Sequence, residues 1–487
     1  MNIDRSTILI LAFVSSAFFT CSIYLNPQKA PWVDEMYTWY GIHHDNLDQF
    51  WDSIGSGINY SPPLYFFLNW IGLQFFPLSL NALRVESLLC ILGGTGLVFL
   101  TLRKEVGSLA ALIGVGGVLL QSTLLFGQSM EARSYGLFFF CGAAVLYTSQ
   151  SLTIGQSRRK WAWAFIAHLA LSLTHYLGIV FSVLAALSRY LSMGQSRNRA
   201  LKTSPEILSW VISLPLYGYL ISSQSDHLAA WPRPNGIHDL LASFLDSINP
   251  LFFSVPIIFA LLLNSTSSKE RNPFGFKDKK YNHFILHCSV LWLSIPILAW
   301  LLSHVTPLNL FKDRYFIPKE AALMVLSAFA LARVPLLQSN SRKALLPVGF
   351  CLLLGVGILT ISSQRNLFAL HPSRNYYHWL VAEDKIFQEN IPVLFSRDPL
   401  FFPNAYRFSR QSYFLLDQRE QNQLYKKFSN EIRVTDSDEI KDFNEFILIS
   451  EKKEKEEFLR KGFVLESEDS FNKFLPFFAY RFRTNQM

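Results

Sequence analysis

The feature that most constrains this chain is the recurrence of apolar stretches of roughly 20 residues, each long enough for a helix to cross about 30 Å of hydrocarbon. Only 16% of the 487 residues are charged and 50% are hydrophobic, whereas soluble proteins carry about 25% charged residues. Lipid offers no hydrogen-bond partner to an open backbone, so these stretches must be helical. The sequence therefore predicts a polytopic α-helical membrane protein.

We predict about eleven transmembrane helices, with boundaries uncertain by a few residues. The first covers residues 7–25. A cleaved signal peptide is the alternative for this stretch, but the run is long and ends without an Ala-x-Ala site, which favours an uncleaved helix. The other predicted spans lie near 84–102, 107–126, 134–152, 161–174, 177–192, 206–222, 243–264, 282–304, 315–334 and 344–362.

Lysine and arginine gather in alternate loops, which by the positive-inside rule are cytoplasmic. This pattern explains the net charge of +8, and we predict no nucleic-acid partner. The predicted topology is a multi-pass protein of the cell (inner) membrane with a cytoplasmic N-terminus. The outer side then holds the long loop 26–83, the shorter loops 127–133, 174–176, 223–242 and 305–314, and the C-terminal tail.

The chain is predicted to have two domains. Residues 1–363 form the membrane domain, in which the outer loop 26–83 carries short interfacial helices near 46–54 and 64–75. Residues 364–487 have balanced charge and form a small extracytoplasmic α/β domain, because short apolar runs alternate there with helical patterns. Its predicted strands are 391–395 and 446–449, and its predicted helices are 376–388 and 451–461.

The sequence requires no cofactor. The five cysteines lie inside apolar segments without metal-ligand or disulfide spacing, and no dinucleotide, phosphate-loop or zinc-protease motif is present. No spacing requires a metal either. The carboxylates that a divalent cation would use are Asp34, Glu35 and Glu131.

Asp34 and Glu35 are the candidate catalytic residues. They stand between Pro31-Trp32-Val33 and Met36-Tyr37-Thr38-Trp39, which would hold them against the membrane in a medium of low dielectric constant. Burial disfavours the charged form of a carboxylate and makes it a stronger base. Glu35 would point away from Asp34 in an extended segment and act as a structural partner. The alternative is that both are solvated loop residues.

Cations from different loops are predicted to meet at the same membrane level. Ionisable groups beside a span are costly unless they are paired or used, and Arg133, Lys312 and Arg314 are suited to a phosphate. Structural ion pairs with Asp313, Glu131 or Asp34 are the alternative. His175 is either a capping residue or a phosphate-binding or acid–base residue, and Asp226-His227 is a weaker candidate.

The ordered set of short motifs resembles a known family. It comprises Asp34-Glu35 in the outer loop, the element Tyr60-Ser61-Pro62-Pro63-Leu64-Tyr65, the segment Glu131-Ala132-Arg133-Ser134-Tyr135-Gly136-Leu137, the turn Thr174-His175-Tyr176 and the segment Asp313-Arg314-Tyr315-Phe316-Ile317-Pro318. Over residues 1–335 this order resembles the GT-C glycosyltransferases of the protein O-mannosyltransferase and lipid A aminoarabinose transferase type. The tail resembles the variable outer domain of that family.

The resemblance implies that the chain transfers a sugar, with inversion, from a polyprenyl-phosphate donor at the outer side of the bilayer. Asp34 matches the presumed base and Glu35 its neighbour. Glu131 and Arg133 match the second motif, and Arg314 matches a cation near the donor phosphate. Lys312, His175 and Tyr60 complete the predicted substrate-binding set. The chain departs from the family at Ser61, where members often carry a basic residue or histidine, which puts acceptor or metal contacts there in question.

Other function classes are compatible with parts of the pattern. A transporter or flippase for a lipid-linked solute would place its ionisable residues near mid-membrane, whereas here they gather at one face. A polysaccharide polymerase or ligase would also use outer loops and lipid-linked donors. A membrane-anchored binding protein would act through the tail. The sequence leaves open the sugar and the acceptor, which could be a glycan, a lipid or a protein hydroxyl.

Overall fold

The computed structural model describes residues 5–29, 31, 33–57, 61–154, 157–193, 203–228, 236–245, 280–305, 311–332, 391–396, 401, 405, 411–415, 429, 433–435, 439–470 and 477–483. The chain divides into two compact units. The first contains Met1–Pro27, Ser61–Leu68 and Leu78–Arg365, and the second contains Gln28–Tyr60, Asn69–Pro77 and Asn366–Met487. The predicted boundary at 363/364 lies outside the described residues, and the two-domain assignment stays a prediction.

The described residues are mostly helical. Their α-helices are α1 (Arg5–Leu25), α2 (Val33–Ile42), α3 (Leu47–Gly55), α4 (Leu64–Phe75), α5 (Leu80–Val106), α6 (Ser108–Gln121), α7 (Thr123–Gln128), α8 (Tyr135–Ile154), α9 (Arg158–Thr174), α10 (Gly178–Ser192), α11 (Ser204–Leu228), α12 (Ile237–Leu245), α13 (Lys280–Val305), α14 (Pro318–Leu331) and α15 (Lys452–Arg460). Short 3₁₀ turns cover Asn26–Gln28, Asp313–Phe316 and Glu439–Asp442.

Most predicted spans coincide with helices of the first unit. The neighbouring spans 161–174 and 177–192 are two separate helices, α9 and α10. The predicted span 107–126 is instead divided into α6 and α7, because Ser122 leaves the helical conformation and its hydroxyl accepts a hydrogen bond from the Leu125 amide at 3.0 Å. Most of the span near 243–264 and all of 344–362 lie outside the described residues.

Two described helices satisfy both length and apolar composition for a membrane span, Leu80–Val106 and Phe284–Val305. Helices α1, α8 and α11 contain 21, 20 and 25 residues, and 20 helical residues extend about 30 Å. The total of eleven spans and the orientation of the chain stay predictions. The segment 223–242, predicted as an outer loop, is partly helical, since α11 continues to Leu228 and α12 begins at Ile237.

A buried polar network joins α8, α9, α10 and α11, and we call it the Glu206 network. Arg189 donates from Nε and Nη2 to the two carboxylate oxygens of Glu206, both at 2.7 Å. His168 Nε2 lies 3.2 Å from Ser149 Oγ, and its Nδ1 lies 2.7 Å from Ser182 Oγ. A bidentate pair that satisfies both partners is the form in which buried charges persist.

The tail contains a mixed six-stranded sheet, with strands β1 (Val393–Phe395), β2 (Ser412–Leu415), β3 (Val434–Thr435), β4 (Glu445–Glu451), β5 (Val464–Ser470) and β6 (Phe477–Arg483). Their order is β3-β2-β1-β4-β6-β5. The first four are parallel, with Val393 opposite both Ser412 and Ile447, whereas β6 runs antiparallel to β4 and β5. The predicted strands 391–395 and 446–449 and helix 451–461 are confirmed, and 376–388 lies outside the described residues.

The hydrophobic core of the tail explains why α15 packs against the sheet. Phe446, Leu448 and Phe482 are buried in the sheet and Phe458 is buried on α15. The Phe446 and Phe482 rings stack with centroids 5.5 Å apart, and the Phe446 and Phe458 rings lie 5.6 Å apart. The charged residues 452–457 therefore belong to a helix whose apolar side covers the sheet.

Candidate active site

Three turns of the first unit bring basic and aromatic side chains together around Tyr135. These turns precede α8, join α9 to α10 and precede α14. The guanidinium carbons of Arg133 and Arg314 lie 5.8 Å and 5.7 Å from the centre of the Tyr135 ring, which is within cation–π range. The ring centroids of His175 and Tyr315 lie 6.0 Å and 6.3 Å from that of Tyr135. We call these five residues the Tyr135 cluster.

The turn before α8 is held by α5. Ser87 Oγ lies 2.6 Å from the Glu131 carbonyl oxygen, to which it donates, and 3.3 Å from that of Arg133. At Gly136 a β-carbon would lie 2.6 Å from the Ser87 carbonyl oxygen. A glycine is thus required for α8 to approach α5 closely enough to make these hydrogen bonds. This packing determines where Arg133 and Tyr135 stand.

The turn between α9 and α10 fixes His175. The Tyr217 hydroxyl of α11 contacts the carbonyl oxygens of Ser172 and His175, the latter at 3.1 Å. A β-carbon at Gly178 would clash with the carbonyl of Leu171, so only glycine fits where α10 begins. The imidazole stacks on Phe138 with ring centroids 4.8 Å apart. The backbone of His175 is therefore held by Tyr217, and its imidazole is held by Phe138.

His175 is neutral and its tautomer follows from its hydrogen bond. The Leu177 amide donates to His175 Nδ1 at 3.1 Å, so Nδ1 accepts and the ring proton lies on Nε2. Burial, together with the positive charges of Arg133 and Arg314, lowers the pKa of His175 to about 3. A neutral imidazole with an Nε2–H group is a hydrogen-bond donor rather than a base.

The pKa of Lys312 is also lowered, by burial and by a neighbouring positive charge. Burial lowers the pKa of Lys312 and so does the Arg314 guanidinium, while Asp239 and Asp313 act in the opposite direction. Lys312 and His175 thus each have a lower pKa partly because of neighbouring guanidinium groups. Guanidinium groups gathered in this way are suited to binding an anion.

Glu131 is buried beside this turn, and its role in binding stays a prediction. Among the described residues, no group of three or more histidine, cysteine, aspartate or glutamate side chains is placed to hold a metal ion. The weaker candidate pair Asp226-His227 falls in the last turn of α11. Its side chains lie outside the described residues, and so does Tyr60.

Asp34 and Glu35 belong to the second unit, and they occupy the first turn of α2 rather than an extended segment. Carboxylates are favoured in a first helical turn because the exposed amides there carry partial positive charge. Both residues are buried. Glu35 Oε1 lies 3.5 Å from Lys29 Nζ, with both side chains buried. Glu35 therefore has a local ion-pair partner, as a structural neighbour of Asp34 would.

Aromatic residues and histidines surround α2 within the second unit. The Trp39 and His43 rings are 3.8 Å apart, and His43 Nδ1 lies 2.7 Å from the Trp39 carbonyl oxygen. Trp70 Nε1 donates to the His44 carbonyl oxygen at 3.0 Å. Helices α3 and α4 form at the places predicted for the short helices 46–54 and 64–75. Their location at the membrane interface stays a prediction.

Sequence reasoning assigned no role to Tyr135, Tyr315 or Lys29. The two tyrosines are sequence neighbours of arginines, in Arg133-Ser134-Tyr135 and Arg314-Tyr315. An aromatic residue beside each of two arginines is a signal for a shared cation–π site. Lys29 carried no such signal, because its partnership with Glu35 depends on the turn Asn26–Gln28 that precedes α2.

No protein-family model matches the chain, and no curated protein sequence does. Solved structures do match. ArnT from Cupriavidus metallidurans bound to undecaprenyl phosphate has a TM-score of 0.63 at 11% sequence identity, covering 96% of this chain and 97% of ArnT. ArnT from the same organism in the apo state has a TM-score of 0.53 at 12% identity, covering 98% of each chain.

These matches extend over both units of the chain and over nearly all of ArnT. At 11–12% identity they establish the architecture and leave the chemistry to be argued from the residues. They confirm the resemblance that the ordered motifs indicated. The chain has the GT-C membrane fold of ArnT, with a sheet-containing C-terminal region.

Proposed function

We propose that this protein is an integral-membrane glycosyltransferase that moves a sugar from a polyprenyl-phosphate donor to an acceptor hydroxyl on the extracytoplasmic side of the cell (inner) membrane. The observation that carries the proposal is the convergence of Arg133 and Arg314 on the Tyr135 ring, in a fold shared with a protein that binds undecaprenyl phosphate. The positive-inside rule supports this orientation, with the N-terminus in the cytoplasm and the tail outside.

The chemistry assigns distinct roles to the basic residues. The bond from the anomeric carbon to the phosphate oxygen breaks, and the polyprenyl phosphate leaves with its electron pair. Arg133, Arg314 and Lys312 stabilise the charge that develops on that phosphate. His175, neutral at physiological pH, donates a hydrogen bond from Nε2 to a phosphate or sugar oxygen.

Asp34 is assigned the role of base by its place in the motif and by its burial in the first turn of α2. It removes the proton from the acceptor hydroxyl as that oxygen attacks the face of the sugar opposite the leaving phosphate, so the anomeric centre inverts. Glu35, paired with Lys29, supports the position of α2. The sugar and the acceptor, whether glycan, lipid or protein, are to be identified from the product.

The test is transfer of radiolabel from polyprenyl-phosphate sugars in membranes that contain the protein. Asp34→Asn should abolish transfer while the protein is expressed and folded as in the wild type, because the amide cannot accept the proton. Asp45→Asn is the matched control, since Asp45 is an exposed carboxylate of the same unit. Normal transfer by Asp34→Asn would remove the base assignment. A parallel reaction with chelator decides whether a divalent cation participates.

A further inference from the structure

A cavity of about 690 Å³ lies between α5, α8 and α9 of the first unit. Its volume is typical of a site for a small organic ligand. It extends along α8 from Phe140 to Ser151 and along α9 from Ala170 to Arg159, with Ser157 just before α9. Its basic residues lie near the end of α8 that is remote from Tyr135, and its apolar residues lie closer to that ring. Since α8 has 20 residues, the two ends are about 30 Å apart.

The lining of the cavity is graded along its length. Residues at helical spacing make an apolar body, with Leu97 on α5, Phe140 and Ala144 on α8, and Ile166 and Ala170 on α9. The opposite end is polar and basic, formed by Ser151, Ser157, Arg159 and Lys160. A ligand that matches both parts has an apolar chain and an anionic head.

At the basic end, Lys160 is held by a hydrogen bond and Arg159 is exposed. Lys160 Nζ donates to the Ser151 carbonyl oxygen at 3.1 Å, which keeps its ammonium group at this end. Arg159 is exposed beside it. Trp163 and Ile166 on the same wall are 54% and 49% exposed. An exposed tryptophan below a basic turn is typical of the interface between lipid head groups and acyl chains.

We propose that this cavity binds an anionic phospholipid of the adjacent leaflet, with its phosphate at Arg159 and Lys160 and an acyl chain along Leu97, Ala144 and Ile166. Charge complementarity decides the head group, because basic pockets between transmembrane helices recognise anionic lipids. The apolar body distinguishes this ligand from free phosphate. The basic end of the cavity, at Ser151 and about 24 Å along α8 from Tyr135, distinguishes its head-group site from that of the donor, whose phosphate is assigned to the other end of α8.

The experiment measures lipid retention by the purified full-length protein, with phosphatidylglycerol and phosphatidylcholine of matched acyl chains as probes in native mass spectrometry. The wild type should retain phosphatidylglycerol in preference. The double variant Arg159→Gln/Lys160→Gln should reduce that preference about tenfold or more, since each basic residue near the surface contributes to anionic-lipid binding. Ala144→Trp, which fills the apolar body, should reduce retention of both lipids.

The matched control is Lys104→Gln/Arg158→Gln, which removes two exposed charges near the same ends of the helices but outside the cavity lining. It should keep the preference for phosphatidylglycerol. Equal loss in the control, or no change in Arg159→Gln/Lys160→Gln, would overturn the proposal in favour of diffuse surface charge or no head-group recognition. Displacement of phosphatidylglycerol by equimolar undecaprenyl phosphate would also overturn it, because the cavity would then belong to the donor.

Discussion

The first unit contains two clusters of charged side chains that differ in how their arginines are arranged. In the Glu206 network, both oxygens of one carboxylate accept from Arg189, so the charge is neutralised within the network. In the Tyr135 cluster, two guanidinium groups face one aromatic ring and lower the pKa of the neighbouring His175. The Tyr135 cluster, where a ligand phosphate is proposed to bind, therefore gathers two guanidinium groups around one ring, whereas the Glu206 network holds one guanidinium group in a bidentate ion pair.

The difference separates a structural role from a binding role. Arg189 lies about 17 Å farther along α10 than the residue that begins the helix after His175. The bidentate pair of Arg189 and Glu206 joins helices α10 and α11, and each charge is neutralised by the other. Substitutions in the Glu206 network should thus affect folding, and substitutions in the Tyr135 cluster should affect donor binding.

The largest effect is expected for Glu206→Ala. Removal of the carboxylate leaves the buried Arg189 charge without its partner, which costs about 3–5 kcal/mol of folding free energy. The measurement is thermal unfolding of the purified protein in detergent. Arg189→Met/Glu206→Met, which removes both charges, should recover most of the loss. A single variant as stable as the wild type would mean that the two clusters do not differ as described.

Arg314→Ala should weaken donor binding with little change in stability. A hydrogen bond to a charged group contributes about 1.5–3 kcal/mol, so the apparent donor affinity should fall roughly 10- to 100-fold. Donor titrations in the transfer reaction give this value. Arg314→Lys should recover part of it, since lysine provides charge without the two-pronged geometry. Unchanged donor affinity in Arg314→Ala would contradict the phosphate assignment.

The pH dependence of stability should report the environment of His175. Its pKa is about 3 in the folded protein and about 6.5 in the unfolded chain, so below pH 6.5 the unfolded state binds the additional proton. The stability contributed by the neutral ring is present above pH 6.5 and is lost as the pH falls toward 3. The loss between pH 7.5 and pH 5 is about 2 kcal/mol.

His175→Gln removes this titrating group, so its unfolding temperature should fall less between pH 7.5 and pH 5 than that of the wild type. For each protein, the unfolding temperature at pH 5 is subtracted from that at pH 7.5. This difference cancels any pH-independent cost of the substitution. An identical pH dependence in the variant would show that the Tyr135 cluster does not hold His175 neutral.

The smallest effect is expected for Ser87→Ala, which removes the hydrogen bond to the Glu131 carbonyl oxygen while α5 stays intact. The cost should be about 1 kcal/mol, and the apparent donor affinity should fall a few-fold because the turn that carries Arg133 is less firmly held. Thr95→Ala is the control, since Thr95 bonds only within α5, to the Ile91 carbonyl oxygen. Equal effects of both variants on donor affinity would refute the positioning role.

Particular elements show how far sequence reasoning extended. Apolar runs predicted α8, α9, α10 and α13 within a few residues, because hydrophobic length is a local property. The break at Ser122 was not predicted, since an apolar run continues through it. The segment around Asp34 is helical, with two acidic residues in its first turn, and an argument from an extended chain did not consider how well carboxylates suit that position.

The sequence by itself determined the membrane class, the alternation of basic loops and the motif order that indicated the GT-C fold, because composition, periodicity and order are read along the chain. Tertiary structure alone decided that Arg133 and Arg314 share the Tyr135 ring, that Glu35 pairs with Lys29 and that Arg189 is neutralised by Glu206. These contacts depend on how turns and helices pack in three dimensions, and electrostatic energies change steeply with distance and burial.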